Sequence, residues 1–189
     1  GTVSHYLLSY SFSLLRDLER ISSSFDRINL SPLGSCAIGG TGIPIDRNYT
    51  ASFLGFRGLL ENSIDATSSR DSLMEYLSFL SILMSTISRI AEDFILWSTS
   101  EFNYIELSDR YSSTSSVMPQ KKNPDPLEIL RSRTSIVHGM LIASLSIIKN
   151  LPSGYHRDLQ DLKPLLSNSS KIVKESLLIM KGVIDTLKV

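Results

Sequence analysis

From Ser72 to Ser98 apolar side chains return every three or four residues, through Leu73, Leu77, Leu80, Met84, Ile87, Ile90 and Leu96. That spacing places them on one side of an α-helix. The band is too broad for a helix covered by a single neighbour. Two further stretches share the pattern. Pro126 to Lys149 carries Leu127, Leu130, Val137, Leu141, Leu145 and Ile148. Leu165 to Val189 carries Val173, Leu177, Met180, Ile184 and Leu187 in a four-three repeat suited to helix packing. Gly1 to Ser24 predicts another helix through Leu7, Tyr10, Leu14, Leu18 and Ile21, with Ser22-Ser23-Ser24 as its end. A shorter one is expected between Arg47 and Leu60. No stretch shows a strand pattern, and no internal repeat appears. The expectation is an all-α fold, a bundle of long helices formed by residues 1–189 as one domain, with functional residues in the crossings between helices.

The charge-free apolar runs, Tyr76 to Ser88 and Thr134 to Ile148, are shorter than the roughly 20 residues a membrane span needs. Helices apolar on most faces are normally buried on several sides. In a chain of 189 residues, other copies of the chain are expected to supply that cover. The formal net charge is zero, which argues against a nucleic-acid or anionic-membrane partner. A single cysteine, Cys36, excludes an intrachain disulfide and a cysteine-based zinc site. A reducing, cytoplasmic setting is expected, and nothing at the start has the pattern of a signal peptide.

Several groups that look functional have plainer readings. Leu30 to Arg47 is loop-like, with Pro32, Gly34, Gly39, Gly40, Gly42 and Pro44, but it lacks the Gly-Lys-Ser/Thr of a phosphate-binding loop. Its glycines are expected to serve tight turns and close helix approach. Glu92 and Asp93 are adjacent, so they do not share a helix face, and are read as solvated or salt-bridged. His138, inside an apolar run, is read as a satisfied core or inter-subunit histidine. His5 is read as a structural residue at a helix start.

The stretch Ser112 to Glu128, SSTSSVMPQKKNPDPLE, is different. Its opening hydroxyl side chains compete for backbone hydrogen bonds and disfavour regular structure. Asp125-Pro126-Leu127-Glu128 then fits a helix start, with Asp125 as N-cap, Pro126 first and Glu128 third in a capping box. A polar loop with Lys121 and Lys122 would thus lie over a helix N-terminus, where anions are favoured. A bound carboxylate suits that setting. Ser112 to Met118 is expected to be mobile without ligand and ordered over a bound dicarboxylate.

SSVMPQKKNPD resembles the third signature of the fumarase/aspartase superfamily, and its QKKNPD ending is most similar to the argininosuccinate lyase branch. SPLGSCAIGGTGIPIDR, NSIDATSSRD, RIAEDFILWSTSEF and LPSGYHRDLQ resemble the same branch, in the same order. The resemblance implies reversible elimination of fumarate from argininosuccinate to leave arginine, a step of arginine biosynthesis, with no cofactor and no metal. It implies Ser115 as the base, Lys121 opposite the carbanion's charge, and Glu128 raising the basicity of a histidine from another subunit. Ser116 and Asn123, with Tyr155, Gln160 and Lys163 of the second polar crossing, are implied substrate contacts. Two departures stand in that crossing: His156 where asparagine is common, and Leu162 in place of an acid.

The resemblance covers the family's central helical domain. The first signature, a Thr-His pair and a C-terminal small domain are not matched. Active sites of the family join three signatures from three subunits of a homotetramer. The expectation is therefore a fragment, inactive alone, that self-associates as a dimer or tetramer. An adenylosuccinate lyase-like enzyme and a crystallin-like, non-catalytic relative are the alternatives.

Overall fold

The computed structural model describes residues 1–118 and 122–189. In chain order its helices are α1 (Val3–Ile28), α2 (Arg47–Phe53), α3 (Ser63–Ser68), α4 (Asp71–Trp97), α5 (Asp125–Ile148) and α6 (Leu162–Thr186). Single 3-10 turns span Asp109–Tyr111 and Arg157–Asp161. Four two-residue strands make two small ladders. β1 (Leu30–Ser31) pairs in parallel with β2 (Gly58–Leu59), and β3 (Ser113–Thr114) pairs antiparallel with β4 (Lys122–Asn123). Strands this short carry no period-two signal, so the sequence did not announce them.

Helix α4 is the axis, packed by α1, α5 and α6. Leu77, Met84, Ile87 and Phe94 of α4 are buried, and they meet Leu127, Leu130 and Val137 of α5 and Val173, Met180 and Val183 of α6 in one core. This corrects the expectation about cover: the broad band of α4 is buried largely within the chain. Ile82 and Leu96 of α4 stay exposed, and further uncovered apolar residues lie on α1 (Leu8, Phe12, Leu15, Leu18) and α5 (Ile129, Ile136, Ile142).

Helix α1 runs antiparallel to α4 and is tied to it at three levels. Tyr6 and Tyr10 both donate to Asp93 Oδ2, the second at 2.6 Å. Thr86 Oγ1 donates at 3.3 Å to Asp17, a carboxylate only 2% exposed that also pairs with Arg20 at 2.6 Å. Arg27 pairs with Glu75. Burial and the bond to Asp93 hold the Tyr6 phenol far above the ordinary tyrosine range. The three serines expected to end α1 do not, and the helix continues to Ile28. Ser24 is buried, and its Oγ donates to the Ile21 carbonyl at 2.8 Å, so its side chain is satisfied inside the helix.

The plainer readings hold for Glu92 and His138 at the bundle core, whereas Asp93, read as solvated or salt-bridged, is held by two tyrosine hydroxyls because α1 packs over it. Glu92 pairs with Arg131 on α5 while Asp93 faces α1, so the adjacent acids serve different neighbours. His138 Nε2 lies 3.0 Å from Ser85 Oγ and 3.1 Å from the Ser81 carbonyl, a satisfied position between α5 and α4. Between Arg47 and Leu60 the helix stops at Phe53, and Gly55, with φ of 78°, takes the left-handed conformation that turns the chain toward β2. Helix α6 starts at Leu162, earlier than expected, because the preceding 3-10 turn feeds directly into it and Pro164 is tolerated in a first helical turn. No helix of the described residues is long and apolar enough to cross a membrane.

Candidate active site

The Ser112–Glu128 crossing returns on itself through the β3–β4 ladder, Ser113 opposite Asn123 and Thr114 opposite Lys122. Ser112 Oγ donates to the Ser108 carbonyl at 3.2 Å, and Ser113 Oγ donates to Asp125. Ser112 and Ser113, the first residues of the crossing, are therefore each held by a side-chain hydrogen bond. The expected capping box does not form. Pro124 is the N-cap without a side-chain bond, and Asp125 is the first helical residue. The backbone N–H groups of Leu127 and Glu128 instead bond the Pro124 carbonyl at 2.9 and 3.2 Å. The physical reason is competition: the Asp125 carboxylate is taken by Ser113, and the helix begins one residue early. Glu128 moves out of the third position and stays exposed.

Ser115 is half-buried, and its Oγ accepts from the N–H groups of Val117 at 3.2 Å and Met118 at 3.3 Å. Donors aimed at an oxygen favour its anionic form. Ser116 is exposed, and Lys121 lies outside the described residues. Lys122 Nζ is 2.7 Å from both Glu106 Oε1 and Asp109 Oδ1. The lysine's hydrogen bonds hold both carboxyls below the usual carboxylate range, and those bonds, to Asp109 first and Glu106 second, push the ammonium up. Asn123 is half-buried. Lys122, Asn123, Glu128 and Ser112 line a cleft of about 570 Å³ closed on its other side by Ser98–Ser100, Asn103 and Glu106.

The second polar crossing lies at the far end of α5. Tyr155 Oη accepts from Gln160 Nε2 at 2.9 Å, and both line a cleft of about 220 Å³ with Lys163, Arg70 and Leu159. Tyr155 and Arg70 also wall an adjoining cleft of about 390 Å³ made by Pro32, Gly34, Cys36 and Thr67. The glycine-rich loop thus reaches this end. Gly154, at φ of 101°, makes that possible, since a Cβ there would stand 2.6 Å from Ile38 Cδ1. Leu162, where an acid was expected, is 2% exposed and joins the core at the start of α6. His156 is half-buried, and its Nε2 has no partner among the described residues.

The structure therefore brings Asn123 and Glu128 to one cleft and Tyr155, Gln160 and Lys163 to another. Helix α5, 24 residues long, separates them by about 36 Å. Sequence reasoning missed Arg70, whose Nη1 donates to the Thr67 carbonyl at 3.3 Å beside Tyr155. It also missed Glu106 and Asp109, which meet Lys122 only through the fold. Neither pairing has a local sequence signal. Among the described residues no group of three or more His, Cys, Asp or Glu side chains is placed to hold a metal ion.

The profile of the family described as lyase matches residues 1–139. The argininosuccinate lyase of Nitrosopumilus maritimus is 57% identical over 189 residues, which is 100% of this chain and 39% of that protein. That of Bacillus cereus is 49% identical over 185 residues, 98% of this chain and 40% of that protein. The chain thus spans about two fifths of the length of these curated relatives. Among solved structures, an EDDS lyase in complex with formate superposes with a TM-score of 0.84 at 35% identity, over 97% of this chain and 36% of that one. A class II fumarase from Schistosoma mansoni matches at a TM-score of 0.78 and 19% identity, over 99% of this chain and 44% of that one, a likeness of fold alone. With the family profile spanning most of the chain and the same helical bundle in a solved lyase of 35% identity, the chain belongs to the lyase family of the fumarase/aspartase superfamily.

Proposed function

We propose that the full-length protein is an argininosuccinate lyase, a cytoplasmic enzyme of arginine biosynthesis, and that residues 1–189 are its central helical domain. The observation that carries the reading is Ser115, a half-buried serine whose Oγ already receives two backbone N–H donors, in a chain 57% identical to such a lyase. In this reading Ser115 Oγ removes the proton beside a carboxylate of argininosuccinate. Charge spreads onto that carboxylate, where Lys121 neutralises it, while Ser116 and Asn123 donate to the substrate. The carbon–nitrogen bond then breaks, the departing guanidino nitrogen takes a proton from an acid, and fumarate and arginine leave. Glu128, released from capping duty, orients and raises the basicity of a histidine from another subunit. Tyr155, Gln160 and Lys163 hold the amino-acid end, the lysine pairing its carboxylate. The reaction uses no cofactor or metal in this scheme.

Two crossings about 36 Å apart cannot serve one substrate molecule within one copy. Association of like chains, closed and symmetric, would bring the Ser115 crossing of one copy to the Tyr155 crossing of another. The exposed Leu8, Phe12, Leu15 and Leu18 of α1 offer apolar surface for it. A homotetramer is the proposed state of the parent. Light scattering on the isolated chain at micromolar concentration should give a dimer or tetramer, without activity. A well-folded monomer would oppose this assembly.

The activity test uses the full-length parent. Argininosuccinate should be converted to fumarate and arginine, and adenylosuccinate should be left intact. Turnover of adenylosuccinate alone would favour the neighbouring branch. A folded parent inert toward both would make the protein a structural relative.

A further inference from the structure

The lysine next to the proposed cationic one is held by groups far from it in sequence. Ile105 and Leu107 are 6% and 5% exposed, so the alternation of an extended chain turns Glu106 outward between them. The Glu106 N–H donates to the Lys188 carbonyl at 2.9 Å, and the Lys188 N–H donates back at 3.0 Å. Glu106 is thus a fixed post beside the end of α6. Asp109 opens the 3-10 turn that follows. Between them lies the Lys122 ammonium, 2.7 Å from each carboxylate. Lys122 itself belongs to β4, opposite Thr114 of β3. One ammonium therefore joins Glu106, which lines the cleft, and Asp109 to the returning strand β4.

A ladder of two residues per strand specifies its register weakly. A slip of one residue would turn every side chain of β4 to the opposite face. In the observed register Lys122 stands opposite Thr114 and meets both carboxylates, and Asn123 stands opposite Ser113 and lines the cleft. The effect of Glu106 and Asp109 passes through Lys122 to β4.

We propose that Glu106 and Asp109 are positioning residues that, by gripping Lys122, lock the register of the β3–β4 ladder and so aim Asn123 at the cleft. The role rests on the reading of this loop as catalytic.

In the full-length parent, the double variant Glu106→Gln with Asp109→Asn should lower kcat about tenfold or more, the scale at which small misplacements act. Its melting temperature should move by only about 2 °C, because exposed ion pairs contribute little stability. Lys122→Met should lose as much as the double variant, and adding it to that variant should cost nothing further, since coupled residues are non-additive. Lys122→Arg should stay within about threefold, because the cation can still bridge two carboxylates. A double variant within about twofold of the parent, or losses that simply add, would overturn the role. So would a kcat loss accompanied by a large fall in melting temperature. Lys121→Met separates the two ideas. If it stays active, the catalytic reading of the loop falls and this role with it. If it is inactive while the double variant is not impaired, the positioning role alone is wrong.

Discussion

In the proposed mechanism, Lys121→Met in the full-length parent should lower kcat by roughly 100-fold or more, because a cation facing developing negative charge is worth about 3 kcal/mol. The neighbouring lysine sharpens the expectation. Lys122 is engaged by Glu106 and Asp109, each 2.7 Å away, so its charge is already neutralised by the fold. In the proposed mechanism Lys121, the other of the two adjacent lysines, is the cation for the carbanion. KM should change much less than kcat, since the charge develops in the transition state and is weaker in the bound substrate. Activity within about threefold of the parent would remove Lys121 from the mechanism. Steady-state kinetics on matched, equally assembled samples decide it.

Leu130→Ala should cost about 2–5 kcal/mol of stability, the range for emptying a fully buried leucine site. Leu130 is 1% exposed on α5, in the core that α5 shares with α4 and α6. The surrounding side chains come from long helices braced along their length, so collapse into the cavity is limited. For a chain of this size the melting temperature should fall on the order of 10 °C. Val117→Ala, at a residue 84% exposed, should change stability by less than about 0.5 kcal/mol. Urea unfolding followed by circular dichroism on both variants measures the difference. Equal midpoints would mean that α5 is not held by this core.

Much of the bundle was legible in advance because long helices repeat one local rule. The three-four spacing of apolar residues marks α4, α5 and α6 wherever one face is buried, and their observed limits lie within a few residues of the expected ones. The end of α1 was misread because a serine run is ambiguous by itself. Ser24 is tolerated in the helix since its Oγ bonds the turn before and its side is covered. The start of α5 was misread for a similar reason. An aspartate followed by proline reads as a cap, but Ser113, twelve positions earlier, claims its carboxylate. The α3 helix (Ser63–Ser68), only six residues long and capped by Asn62, is too short for periodicity to register.

The sequence by itself determined the helical class, the polar crossings and the kinship carried by SSVMPQKKNPD, because each is written in neighbouring residues. Only the tertiary structure decided which side chains meet. It neutralised Lys122 with two carboxylates from another segment. It also set the two crossings at opposite ends of α5, so that residues written on one chain face different clefts. The reason is geometric. Helix periodicity is local and can be read from spacing, whereas the direction in which a rigid helix about 36 Å long carries its two ends depends on how it packs against its neighbours.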